Sequence, residues 1–451
     1  MASVRYESTN RKADLVSFKD ALLMGQAPDR GLFTPTSIPT ITSDEFDSMK
    51  HLEYHEIAFN VISKFLKEEV PGVELERICR EAYDFDVPLE KAHDRFYVMR
   101  LDRGPTAAFK DFAARVMARL MSYFIKKEGR KLLILTATSG DTGSAVANAF
   151  HNVENIGVVV LFPRGEVTLR QRKQMTTLGG NVTTIALDGK FDDCQRLVKS
   201  AFADPDLKAL NLSSANSINF GRLLPQAVYY IYSYVKLAGK FGEKIVFSVP
   251  SGNFGNMMGG MVAQRMGLPV ERWVIATNDN DEFPNFLRTG VYKPISPSKA
   301  SISNAMNVGN PSNLARLFHM YGGWMDEKGL VHKQPDLKAL NRDIYSLGVS
   351  NEETRKAIKD AYDKYRIILE PHGAVGWYGL ERYIEESKWK GLSVCLETAD
   401  PAKFPEEIVK VLGFEPEIPK SLRGIEKKKE HVQELDADYD SLKKFLLKDF
   451  S

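Results

Sequence analysis

The chain predicts an α/β fold built on parallel sheet, and three features of its sequence lead there. Beyond about residue 110, short β-branched runs alternate with segments of helical apolar spacing, the pattern of successive β-α-β units. The strand candidates are residues 132–136, 157–162, 182–187, 244–249 and 273–277, with 392–396 much later. Several run directly into polar, glycine-rich turns, and open α/β sheets bind ligands in such turns, at the carboxyl ends of their strands. The third feature is size: 451 residues exceed one ordinary core, so two or three domains are expected.

Composition narrows the function classes. Hydrophobic residues make up 43% and charged residues 27%, the balance of a globular protein with a large core. A net charge of +2 gives no general surface for nucleic acid, although it allows a local basic pocket. Cys79, Cys194 and Cys395 are far apart and lack CxxC spacing, which argues against a disulfide framework or a zinc site and fits a reducing compartment. The first residues lack a signal-peptide apolar region and no stretch is long enough to span a bilayer, so a cytoplasmic protein is expected, without metal or membrane.

The first hundred residues read as mixed, with helices over 18–24, 54–66 and 75–83 and a loop over 25–31. None of these suggests chemistry. Lys110 does. It follows the Gly104-Pro105 turn signal, sits between Phe109 and Phe112, and precedes Ala113, Ala114, Val116, Met117 and Leu120 at helical spacing. An ammonium among apolar neighbours is disfavoured in its charged form, which frees the amine for Schiff-base chemistry. A single lysine is more often a solvated surface residue, so the reading depends on what else converges there.

Three strand-end loops offer partners. The first is Thr136-Ala137-Thr138-Ser139-Gly140-Asp141-Thr142-Gly143-Ser144, where small hydroxyl residues and glycines before a helix start suit a carboxylate. The second is Ser251-Gly252-Asn253-Phe254-Gly255-Asn256. Two glycines allow close approach, two asparagines can add donors, and the next helix offers its N-terminus to a phosphate monoester. Its spacing is neither that of a P-loop nor that of a dinucleotide turn. In the third, Thr398 directly follows a strand and can turn a hydroxyl to a ligand. Taken singly, each also has a plain structural reading: a hydroxyl-capped turn, a glycine turn, and a threonine that merely ends a strand.

Together these stretches resemble the pyridoxal-phosphate enzymes of the tryptophan-synthase-β type (fold type II), and within them the threonine synthases. Gly-Pro-Thr-Ala-Ala-Phe-Lys-Asp-Phe resembles the family's Schiff-base motif, Thr-Ser-Gly-Asp-Thr-Gly its substrate loop, and Ser-Gly-Asn-Phe-Gly-Asn its cofactor-phosphate loop. The stretches at 27–33, 216–222 and 305–313 favour threonine synthase over its relatives. The resemblance runs from about Tyr6 to Gly413. It implies an N-terminal domain (1–95), a large cofactor domain (96–112 and 225–413, with an insertion at about 278–347), and a small substrate-closing domain (113–224). Residues 414–451 are left as a tail, whose charge run 426–430 reads as a solvated helical face.

The implied cofactor is pyridoxal 5′-phosphate, and the implied reaction converts O-phospho-L-homoserine and water to L-threonine and phosphate in a monomer or homodimer. By resemblance, Lys110 is catalytic and carries the cofactor. Gly252, Asn253, Phe254, Gly255 and Asn256 hold its phosphate, Asp141 lies near its ring hydroxyl, and Thr398 donates to its ring nitrogen. Thr138, Ser139 and Thr142 take the substrate carboxylate, while Asn219 and Arg222 take its phosphate. Two positions depart from the family pattern, Asn307 in place of Asp and Asp400 in place of His. A same-fold serine/threonine dehydratase or β-replacement enzyme and a non-catalytic cofactor- or phosphometabolite-binding paralogue are the alternatives. The dehydratase needs no second phosphate site, and the intact Lys110 speaks against the paralogue.

Overall fold

Six strands make the larger of two sheets, in the spatial order Ile344–Gly348, Val270–Thr277, Ile245–Pro250, Leu392–Glu397, Phe96–Arg100 and Leu89–His93. Neighbours are parallel except the last two, which form an antiparallel pair. The structure, a computed structural model, describes residues 3–450. Its central strands are apolar throughout because both faces are covered. Ile245, Phe247 and Val249 share a core with Tyr230, Met257 and Trp273. On the opposite face Val246 and Val274 pack with Ala374, Trp377 and Leu380 of the helix Pro371–Ser387.

The second sheet is wholly parallel, in the order Gln433–Leu435, Val182–Leu187, Ile156–Pro163, Leu132–Ala137 and Leu212–Ser213. Alternation with period two divides its side chains. Leu133, Leu135, Val159 and Leu161 face Leu197 on one side, while Ile134, Val158 and Val160 join Val146 and Phe150 in the main core on the other. The helix Lys110–Glu128 links the two units, packing on helix Asp141–Phe150 of the small one and Leu224–Leu237 of the large one.

Helices appear at Phe18–Met24, Tyr54–Leu66 and Gly72–Ala82, close to where apolar spacing put them. Ile57, Val61, Ile62 and Phe65 are buried in the main core, so the N-terminal segment does not own a separate one. A boundary at residue 95 also falls inside the hairpin formed by Leu89–His93 and Phe96–Arg100. The stretch 278–347 runs up to an edge strand of the large sheet, Ile344–Gly348, which its partly exposed side chains disguised.

The largest correction concerns the C-terminal segment, which is not a tail. Gln433–Leu435 extends the small sheet beside Val182–Leu187, and the helix Tyr439–Phe450 packs on Phe191–Ala203 through Leu442 and Leu446. Nor is the charge run 426–430 a helical face. Only the single turn Ile425–Lys427 is helical, and the acids fasten the segment to the helix Leu169–Thr176: Glu426 to Arg170 at 2.7 Å and Glu430 to Arg172 at 2.9 Å. Leu442→Ala should therefore cost the fold about 2–5 kcal/mol, the usual range for a buried leucine, and lower the urea midpoint. An unchanged midpoint would mean that this helix is not part of the packed core.

Candidate active site

Lys110 is the first residue of its helix, and the loop before it is held by one carboxylate. Asp111 accepts from the Thr106 backbone N–H at 2.8 Å and from its hydroxyl at 2.7 Å. Burial pushes the Asp111 carboxyl up to about 6, against these hydrogen bonds. A Cβ on Gly104 would stand 2.4 Å from Asp111 Oδ2, which is why the turn begins with glycine. The same loop is hydrogen-bonded to the end of strand Leu392–Glu397: Phe109 N–H donates to Thr398 O at 2.9 Å, and Asp400 N–H to Ala107 O at 3.0 Å. Lys110 and Thr398 are thus fixed on one wall of a cavity. Nζ of Lys110 has no hydrogen bond or ion pair among the described residues and lies 5.0 Å from the Phe109 ring centroid. Desolvation pushes its pKa down to about 8, with Asp141 opposing the shift and Arg222 and Lys403 adding to it.

The opposite wall is the turn after strand Ile245–Pro250. Phe254 takes a left-handed conformation (φ 60°) and its ring packs edge-on against Phe283, opening the helix Gly255–Arg265 towards the cavity. The first helical hydrogen bond is Met258 N–H to Phe254 O at 3.0 Å, so the N–H groups of Gly255, Asn256 and Met257 precede it and are left for a ligand. A Cβ on Gly252 would sit 2.7 Å from Met306 Cα. The two asparagines differ in role. Asn253 engages its amide in the scaffold, donating to Ser217 Oγ at 2.7 Å and accepting from Ser312 N–H at 2.6 Å. Asn256 accepts from the Tyr229 and Tyr230 hydroxyls, and its buried Nδ2 has no partner among the described residues. A phosphate monoester fits this arrangement of donors.

Thr138, Ser139, Asp141 and Thr142 line the third wall, at the end of strand Leu132–Ala137. Thr138 Oγ1 accepts from the N–H groups of Gly140 (2.9 Å) and Gly143 (2.8 Å), which folds the loop and leaves the hydroxyl proton free. Asp141 is buried and paired with Lys403 Nζ at 2.6 Å, and Gln171 donates to it at 2.9 Å. Burial favours the neutral acid, yet Lys403, with Lys110 and His372, holds the carboxyl well below its usual range.

Thr398 also lines the cavity, but its hydroxyl donates to Glu370 Oε1 at 3.1 Å. Four donors converge on Glu370: Thr398, the N–H groups of His372 and Gly373, and His372 Nδ1. The His372 tautomer follows, since Nε2 accepts from Ala305 N–H at 3.1 Å. With its proton committed to Glu370, Thr398 offers the cavity lone pairs, which differs from the donor role read from the sequence.

Arg222 and Asn219 part company. Arg222 is buried and lines the cavity; among the described residues it engages only Nη1, on Ala215 O at 2.5 Å, and its Nε has no partner. Burial pushes its pKa down to about 10 against the pull of Asp111. Asn219 does not reach the cavity. It caps the turn Phe220–Arg222 through Gly221 N–H and donates to Leu22 O and Ser214 O, a structural role that corrects the expected substrate contact. The departures are also placed. Asp400 caps the turn Pro401–Lys403 on Ala402 N–H at 2.8 Å, and Asn307 accepts from Asn278 at 2.9 Å; neither lines the cavity. Sequence reading missed Lys403, Gln171, Glu370, His372 and Asp111. For Asp111 alone a local signal existed, in its adjacency to Lys110.

An unpaired lysine amine facing a phosphate-sized N–H cradle across the carboxyl ends of parallel strands defines a class, the fold type II pyridoxal-phosphate-dependent enzymes. Residues 85–398 match the family described as pyridoxal-phosphate dependent enzyme, 5–83 the threonine synthase N terminus, and 373–446 the threonine synthase C-terminal family. The chain is 38% identical over 436 residues to the threonine synthase of Haemophilus influenzae, covering 96% of this chain and 97% of that one. It superposes on the crystal structure of PLP-bound threonine synthase from Brucella melitensis with a TM-score of 0.90, at 35% identity and 98% and 99% coverage. For the Escherichia coli threonine synthase structure the TM-score is 0.89 at 36% identity, again covering 98% and 99%. The chain belongs to the threonine synthase family.

Gly252→Val should weaken pyridoxal-phosphate retention at least tenfold, because the added carbon forces the cradle off Met306. Fluorescence titration of the cofactor checks this, and wild-type affinity would show that the turn does not hold the phosphate.

Proposed function

We propose that the chain converts O-phospho-L-homoserine and water to L-threonine and phosphate. The observation that carries this reading is Arg222, a second cation in the cavity of Lys110 that has no ion-pair partner among the described residues and is separate from the N–H cradle. A dehydratase needs one phosphate site; this substrate brings another phosphate, which must be gripped and then released. A planar guanidinium can pair two phosphate oxygens and stabilise the charge that grows as the Cγ–O bond breaks.

The remaining roles follow from position. Lys110 would hold the cofactor through its amine, and the same amine would be the group placed to move protons at the substrate's Cα and Cβ. The first-turn N–H groups of Gly255, Asn256 and Met257, with the unpartnered Asn256 amide, hold the cofactor phosphate. Thr398, positioned by Glu370, is the hydroxyl available to the ring nitrogen. Ser139, Thr142 and the free proton of Thr138 receive the substrate carboxylate. Bound pyridoxal phosphate supplies the electron sink that acidifies the substrate's Cα and Cβ positions. The enzyme acts in the cytoplasm: its three cysteines are free and buried, as suits a reducing compartment, and among the described residues no helix is long and apolar enough to cross a membrane.

Purified protein should release phosphate from O-phospho-L-homoserine in step with L-threonine. Formation of 2-oxobutanoate from threonine or pyruvate from serine, without phosphate release, would install the dehydratase instead. Borohydride treatment should fix the pyridoxyl label on Lys110 in peptide maps, and a label on any other lysine refutes that assignment. Arg222→Ala should lower kcat by about 10²–10³-fold, the scale for removing a transition-state charge partner, while the cofactor stays bound.

A further inference from the structure

Lys403 is the most deeply buried lysine near the cavity, and no step proposed above uses it. Its side chain is fully buried, its Nζ pairs with Asp141 at 2.6 Å, and it donates to Thr106 O at 3.0 Å. Thr106 O also accepts from Gln174 at 2.9 Å. The lysine leaves the large unit on the turn Pro401–Lys403, capped by Asp400, and ends at the first helical turn of the small unit. Its two contacts are therefore Asp141, the carboxylate that lines the cavity together with Lys110, and the loop that carries Lys110.

Such a placement costs a large desolvation penalty, and Asp141 offsets it. The pair alters the charge seen by Lys110. Without Lys403, Asp141 would be an unneutralised anion beside the amine and would hold a proton on it. With Lys403, the carboxylate stays ionised and in place, and the ammonium opposes its field on Lys110. The other charged groups facing Lys110 are Arg222, which disfavours its proton, and Glu370, which favours it. Facing Asp141 are Lys110, Lys403 and His372, with the neutral Gln171 amide.

We propose that Lys403 is a positioning residue for this reaction, acting through Asp141 to keep the nitrogen of Lys110 readily deprotonated. The inference rests on the cofactor assignment made above, but it is tested separately. The readout is the pH midpoint of the holoenzyme's visible absorbance, which reports the proton on the lysine nitrogen that carries pyridoxal phosphate.

Lys403→Met should raise that midpoint by about one unit or more, a tenfold change in proton affinity. Lys403→Arg, which keeps the charge, should restore most of the wild-type value. The double variant Lys403→Met/Asp141→Asn removes both charges and should return the midpoint towards wild type. If Lys403→Met does not fold, Asp141→Asn alone serves, and should lower the midpoint because the anion is lost while the ammonium remains. A midpoint unmoved in Lys403→Met despite lowered thermal stability would overturn the proposal and leave the pair a structural brace. So would a double variant that stays as displaced as the single one, or an Asp141→Asn midpoint at or above wild type. Wild type that binds no pyridoxal phosphate and shows no visible band would sink the cofactor assignment instead.

Discussion

A charge taken out of water must find an opposite charge or a set of hydrogen bonds, and the cavity is arranged around one group that is denied both. Asp111 has Thr106, Glu370 has four donors, and Asp141 has Lys403 and Gln171. Among the described residues, Lys110 alone has only an aromatic neighbour. Its pKa near 8 follows from that exclusion and suits an amine that must hold and give up protons near neutral pH. The surrounding pairs matter because each prevents another buried group from becoming the partner of Lys110.

Backbone geometry supplies the second requirement, that the amine and the phosphate cradle keep a fixed separation. The Lys110 loop is bonded to the end of Leu392–Glu397, which lies beside Ile245–Pro250, the strand that leads into Gly252. Adjacent strands of a parallel sheet thus set the distance between the two walls. Arg222 lies outside that sheet, on a turn between the two units, and meets the cavity from the side. The catalytic amine and the proposed leaving-group cation are carried by different parts of the scaffold.

These features were unequally legible in the sequence. Lys110, the Gly252–Asn256 turn and the Thr138–Thr142 loop could be read because each is a short contiguous motif whose residue types state their own chemistry. The central strands were visible as apolar β-branched runs, whereas Leu89–His93, Ile344–Gly348 and Gln433–Leu435 lie at sheet edges with exposed or charged side chains. Asn219 was misread because nothing local distinguishes an amide that caps a turn from one that meets a ligand; the carbonyl of Leu22, distant in sequence, decides it. Lys403 and Glu370 were invisible for the same reason. A lysine followed by phenylalanine and proline reads as surface until Asp141 is brought to it by the meeting of the two units.

That meeting also joins the C-terminal segment to the chemistry. Helix Leu169–Thr176 is held from outside by Glu426 and Glu430 through its arginines, and on its inner side Gln171 donates to Asp141. Glu430 also accepts from Thr176 at 2.8 Å, and His431 is hydrogen-bonded to Thr176 and Thr184, so the strap spans helix and sheet together. A displacement of residues 425–431 would move the helix, and the helix cannot move without stretching the Gln171–Asp141 contact. Asp141 is held in turn by Lys403, from the large unit. Opening the small unit therefore requires separating a buried ion pair, which is far more costly than sliding two apolar faces. This arrangement of the two units is stabilised at the cavity itself, where exclusion of water strengthens every charge interaction that Lys110 experiences.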